Sequence, residues 1–217
     1  MSATPSRQSL CKHRDTLDGQ GGMCMRTKLY SGIPALLLLL GPAGICLGQQ
    51  SDADLYTKKL APSVGSPENA VDKMLQAADL KPGETLYDLG CGDGRILLKA
   101  AKKYKVKAVG IEISSTLAQK AAQDVRKRGL ENQVKIIHGD FMKMDLSAAN
   151  VVTLYLAPTA NDTLRPNLEH ELKPNTRVVS YDYPIDGWNP INTWETSGHL
   201  GDVHIIYLYE VPNSIKK

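Results

Sequence analysis

The residues with the plainest chemical potential are Asp88-Leu89-Gly90-Cys91-Gly92-Asp93-Gly94-Arg95. They follow an apolar run, Thr85-Leu86-Tyr87, that reads as a buried strand, and they open Ile96 to Lys103, which has helical composition. A glycine-rich turn from strand to helix can grip a small molecule, because glycine lets a ligand approach the main chain and a helix start presents unpaired N–H groups. The spacing is G-x-G-x-G and differs from the G-x-G-x-x-G of dinucleotide binders; carboxylates flank it at Asp88 and Asp93. A pyrophosphate would be repelled there, which disfavours a dinucleotide-dependent oxidoreductase.

Two further acids extend the pattern. About 20 residues on, the apolar stretch Ala108 to Ile113 carries Glu112 near its end, placed to accept bonds from ribose hydroxyls. A third, Val134 to Asp140, ends in another carboxylate. Three successive strands that each finish at an acid suit a donor with ribose, an ammonium and a sulfonium but no phosphate, which describes S-adenosylmethionine.

These stretches resemble the motifs of class I S-adenosylmethionine-dependent methyltransferases, namely Asp88 to Arg95, Gly110-Ile111-Glu112 and Gly139-Asp140-Phe141. More narrowly, Val71 to Leu75, Val152 to Pro158, Leu164-Arg165-Pro166, Glu171 to Pro174 and Thr176 to Ser180 resemble a small family of protein-lysine methyltransferases. Its mitochondrial members modify inner-membrane proteins, and it has bacterial relatives. The likeness spans roughly Pro62 to Pro212. It implies a Rossmann-like seven-stranded sheet, mostly parallel with an antiparallel closing hairpin and helices on both faces. For the donor it implies backbone contacts at Gly90, Cys91, Gly92, Asp93 and Gly94, with Asp88 toward the methionine end, Glu112 at the ribose, and Asp140 with Phe141 at the adenine. In this class the loop after the fourth strand builds the acceptor pocket, which makes Tyr155 a candidate catalytic residue together with Asp182.

The elements that must position these groups follow in order. Ser66-Pro67-Glu68 reads as a helix start with Ser66 as N-cap, followed by Val71, Met74, Leu75 and Ala78 at helical spacing. Leu117, Ala121, Val125 and Arg128 mark another helix, stopped at Gly129, whose basic end Arg126-Lys127-Arg128 offsets the helix dipole. Val151 to Leu156 is the fourth strand, and a helix is expected over 162–172, interrupted early by Pro166. Arg177 to Tyr183 is the fifth strand, and Ile191 to Ser197 with His204 to Val211 reads as a hairpin. Trp188 stands in a loop, either facing substrate or anchoring the loop on the domain. His138 has no second ligand at metal spacing, and Cys91 between two glycines reads as a small residue that fits.

At 217 residues, 42% apolar and 23% charged, the chain has material for one core plus extras. Residues 1–22 are polar and aperiodic, disordered or upstream of the true start. Residues 23–48 hold Arg26-Thr27-Lys28, an apolar run from Ile33 to Leu47 and a small residue at Gly48, the pattern of a signal peptide cleaved before Gln49, or else of a membrane anchor. Residues 49–65 form a linker whose end, Ala61 to Gly65, is a candidate lid, and 66–217 the methyltransferase domain. Five of the 26 basic and two of the 23 acidic residues precede residue 49, leaving 21 of each in the rest. Such a neutral domain, with no basic stripe among aromatics, excludes nucleic acid as a favoured partner. Three of the four cysteines lie in the leader, so the domain can form neither a disulfide nor a cysteine-based metal site.

The expected activity is methyl transfer to an acceptor, the lysine amine of a protein by resemblance, and of a membrane protein given the leader, with no metal required. A small-molecule acceptor, or a retained fold that binds ligand without catalysis, are the alternatives. The leader places the protein in a bacterial envelope or, alternatively, at a mitochondrial membrane.

Overall fold

A computed structural model describes residues 65–197 and 202–216. The expected leader, the polar start and all of the linker except Gly65 lie outside these residues.

Strands β1 (Thr85–Leu89), β2 (Lys107–Glu112), β3 (Val134–His138), β4 (Val151–Leu154) and β5 (Arg177–Tyr181) run parallel. Their apolar runs, all buried in β4 and nearly so in β5, are those of strands covered on both faces. β6 (Asn192–Ser197) and β7 (Val203–Glu210) pair antiparallel, and β7 inserts between β5 and β6. The resulting order is β3-β2-β1-β4-β5-β7-β6. Sequence order therefore reverses between β1 and β4, and such a switch point opens a crevice at the carboxyl ends of the strands.

Helices α1 (Glu68–Ala77), α2 (Arg95–Tyr104) and α3 (Ser115–Lys127) cover one face, where Met74, Leu97 and Val125 join Leu86, Ala108 and Val179 in a core. α4 (Pro158–Glu171) covers the other, with Leu164 and Leu168 packed among Leu89, Val152, Val178 and Tyr209. Ser114 caps α3 by accepting from the Leu117 N–H, and Gly129 follows in the left-handed conformation that ends it.

The structure corrects three local expectations. Ser66 is not the cap of α1: Pro67 occupies that position without a side-chain bond, and the Ser66 carbonyl is drawn instead to Arg95. α4 begins at Pro158, four residues before the expected start at Asp162, and runs unbroken through Pro166. Proline is tolerated there because Pro166 and Asp162, whose carbonyl it leaves without a partner, both face solvent. Tyr183 is not in the fifth strand, since the chain leaves the sheet at Tyr181 and turns at Asp182 with φ +71°.

Among the described residues no helix is long and apolar enough to cross a membrane.

Candidate active site

The crevice is built from the strand ends. Asp88 on β1 and Thr153 on β4 are register partners across the switch point, and the Thr153 hydroxyl donates to Asp88 Oδ1 at 2.7 Å. Asp88 is 3% exposed. Burial, opposed by that hydrogen bond and reinforced by the charge of Glu112, pushes its pKa up to about 7. The protein thus keeps a carboxyl group beside the glycine turn in a place where a cation would be welcome.

The turn itself is anchored to β2, because the N–H groups of Gly90 and Cys91 both donate to the Ile111 carbonyl. Gly90, Gly92 and Gly94 all have positive φ, as a turn this tight requires. Glu112, at the end of β2 and 5% exposed, accepts from the Gly92 N–H with one oxygen and from the Ser114 N–H with the other, each at 2.8 Å. The carboxylate is therefore already oriented, and a carboxylate oxygen can accept further bonds. Asp140 lies two residues beyond β3, where it caps a 3-10 turn (Phe141–Lys143) by accepting from Met142 N–H. Phe141 packs, half-buried, against the α4-side core.

Cys91 and Gly110 explain one another. A Cβ at Gly110 would stand 2.6 Å from Cys91 Sγ and 2.4 Å from Leu97 Cδ1, so the glycine makes room for the buried thiol. Burial pushes that thiol's pKa well up, which suits a packed side chain and not a nucleophile. Asp93 is held by Arg95 through paired bonds, Nε to Oδ1 at 2.9 Å and Nη2 to Oδ2 at 2.7 Å, and this partner keeps its pKa low. Arg95 also donates to the Ser66 carbonyl at 2.8 Å, and a Cβ at Gly65 would strike its guanidinium. The segment entering α1 is thereby fastened onto the glycine turn.

The candidate acceptor residues stand at the ends of β4 and β5, beside the start of β7. Tyr155 directly follows β4, and its ring stands edge-on to Tyr181 with centroids 4.7 Å apart and faces Tyr183 at 6.5 Å. Burial, with the charge of Asp182 next, raises the Tyr155 pKa, so its hydroxyl stays protonated. The Leu156 side chain reaches the glycine turn, 3.3 Å from where a Gly90 Cβ would be, which sets this loop beside the donor cradle. The structure thus gathers Asp88, Glu112 and the glycine turn on one side, and Tyr155 and Asp182 on the other. Trp188 is 3% exposed, donates to Glu169 and anchors its loop.

Sequence reasoning missed Thr153, Tyr181, Arg95 and His204. Thr153 carried a signal, a lone hydroxyl in an apolar strand. His204 carried none, since its partners are set by strand pairing. Among the described residues no cluster of His, Cys, Asp and Glu could hold a metal.

The residues present fit S-adenosylmethionine. Space is open beside Gly92, where a Cβ would meet nothing within 4 Å, and buried carboxyls flank that opening. A seven-stranded sheet in this order with a glycine turn and strand-end acids at its switch point defines the class I S-adenosylmethionine-dependent methyltransferases. Within that class, the profile of the family described as the ANTKMT methyltransferase domain matches residues 88–193. A protein-lysine N-methyltransferase of Saccharolobus islandicus strain REY15A is 43% identical over 152 residues, covering 69% of this chain and 93% of that protein. The chain belongs to this family of methyltransferases.

The adenine nucleotide translocase lysine N-methyltransferase of mouse is 32% identical over 130 residues, covering 60% of this chain but only 56% of its own length. A solved RNA methyltransferase from Salinibacter ruber, in complex with S-adenosyl-L-homocysteine, shares 40% identity and a TM-score of 0.67, over 71% of this chain and 97% of that one.

Proposed function

We propose that this methyltransferase acts on the side-chain amine of lysine in a protein. The observation that carries the reading is the 43% identity, over nearly the whole of that relative, to a protein-lysine N-methyltransferase. The composition of the acceptor side supports it: tyrosine rings and an acid suit a cationic amine better than a nucleobase.

In this reading Asp88 takes the donor's ammonium, Glu112 its ribose hydroxyls, and Asp140 and Phe141 its adenine, while the turn from Gly90 to Gly94, with Cys91 and Asp93, approaches it through the backbone. When bound, S-adenosylmethionine would supply a methyl carbon activated on a sulfonium, open to in-line attack by an uncharged amine with S-adenosylhomocysteine as the leaving thioether. A free lysine amine has a pKa of about 10.4 and must shed a proton first. Withdrawal from water among the rings of Tyr155 and Tyr183 lowers that pKa, and the Asp182 carboxylate accepts the proton. Tyr155, protonated, orients the amine through its oxygen.

The leader supports a membrane-associated substrate and a place in the bacterial envelope, or alternatively at a mitochondrial membrane, with 66–217 as the catalytic domain. A second reading, an RNA acceptor, is favoured by the likeness to the RNA methyltransferase of Salinibacter ruber; the balance of 21 basic and 21 acidic residues after residue 48 weighs against it.

The test is incubation of the full chain with isotopically labelled S-adenosylmethionine and, in parallel, membrane extract, soluble extract and total RNA. Label on lysine in a membrane protein is expected. Label confined to RNA would overturn the reading.

A further inference from the structure

The cluster beyond Tyr155 contains more than the acceptor reading uses. His204, on β7, lies between two acids: Nε2 is 2.6 Å from Asp202 Oδ2, and Nδ1 is 3.0 Å from Asp182 Oδ1, near enough for an ion pair though off the line of a well-aligned hydrogen bond. Its ring also lies over Tyr181, with centroids 5.4 Å apart and planes at 29°. Tyr181 in turn meets the edge of Tyr155. Tyr181 is fully buried, and its hydroxyl has no hydrogen-bond partner among the described residues. A buried hydroxyl without a partner costs about 1–3 kcal/mol, which makes this one a ready partner for a polar group brought into the aromatic cluster.

We propose that His204 is a positioning residue for the acceptor, holding Asp182 against the tyrosine cluster so that its carboxylate and the free Tyr181 hydroxyl receive the lysine amine. This rests on the lysine reading above. Asp182 has reason to need holding. It sits in the left-handed backbone region, uncommon for a side-chain-bearing residue, and its N–H is tied to the Ile205 carbonyl at 2.7 Å. Backbone and side chain are thus both secured from β7, through neighbouring residues. The charge arithmetic agrees: an imidazolium between Asp182 and Asp202 leaves one net negative charge on the three groups, whereas without the ring's charge the two carboxylates would repel each other. A proton on both ring nitrogens is favoured by these two acids, which raise the His204 pKa, with the proximity of Asp182 the larger influence.

The experiment compares wild type with His204→Phe, which keeps a ring over Tyr181 but cannot bond either acid, and His204→Gln, which restores one N–H donor. Each full-length protein, loaded with S-adenosylhomocysteine, is titrated with Nα-acetyl-lysine amide while the tyrosine ring resonances are followed by NMR. Wild type is expected to show saturable shifts, His204→Phe about tenfold weaker binding, and His204→Gln an intermediate value, with S-adenosylhomocysteine affinity equal in all three. Equal lysine affinity in wild type and His204→Phe overturns the proposal, as does an equal loss of lysine and S-adenosylhomocysteine binding, which would mark His204 as a packing residue. No tyrosine shift in the wild type overturns it too. Failure of the acceptor reading would look different: lysine amide binds and depends on His204, yet no lysine in any extract gains label.

Discussion

At the scale of single residues, Asp88 combines two opposed demands. In the ligand-free protein it is a buried carboxyl whose ionisation is resisted, with a pKa of about 7, so between roughly pH 4 and 7 the folded chain holds a proton that the unfolded chain has released. Its contribution to stability therefore falls as pH rises through that window. Asp88→Asn removes the ionisation and keeps an oxygen for Thr153, so at pH 8 the melting temperature of the ligand-free protein is expected to rise by about 5 °C in a thermal scan. The same variant should bind S-adenosylhomocysteine at least about tenfold more weakly, and wild-type affinity should increase from pH 6 to 8 as the carboxylate forms. Glu112→Ala is expected to lower that affinity by a similar or larger factor in calorimetry; unchanged affinity would remove Glu112 from the ribose. Gly110→Ala drives a methyl group into Cys91 and Leu97, and a loss of about 1–3 kcal/mol in denaturant unfolding is expected.

At the scale of elements, Arg177 is the joint between sheet and first helix. At the start of β5 it donates to the carbonyls of Ala78 and Asp79, just past the end of α1, and pairs with Glu84. Its side chain and that of Glu84 are 16% and 21% exposed, so Arg177→Met leaves a half-buried carboxylate and the helix-end carbonyls without their donor. Destabilisation of about 2–3 kcal/mol is expected in chemical unfolding, with catalytic constants per folded molecule unchanged. Element boundaries were also where the sequence was least readable. Strands β1 to β3 stood out because apolar runs end at glycines and acids, and those same acids stand at or just beyond the strand ends that border the crevice. α4 hid its start because Ala157 and Pro158 carry no side-chain cap, and Pro166 looked like a break because the sequence does not reveal which helix face is solvated. Tyr155 is a candidate from its place after the fourth strand, whereas the stacking of His204 on its neighbour Tyr181 depends on β7 lying beside β5, a pairing no local pattern announces.

At the scale of the whole molecule, the chain spans 93% of its archaeal relative but 56% of the mouse one, so a shared catalytic core accompanies different surroundings. In this chain the segment from Arg26 to Gly48 is the candidate leader. Sequencing the N terminus of the mature native protein is expected to give Gln49 if the leader is cleaved, and membrane fractionation to retain the protein if it is kept.

The reversed direction of β7 has a consequence for how such a protein can change over time. Because that strand runs against its neighbours, its first residues surface at the same rim as the last residues of the parallel strands. On the proposed reading the donor candidates, from Asp88 to Phe141, precede Asn150 in the chain and the acceptor candidates, from Tyr155 to His204, follow it, with Thr153 and Leu156 reaching back to the donor side. Recombination near Asn150 would therefore exchange one partner preference while leaving the methyl supply intact, so that relatives can diversify in what they modify without reinventing how.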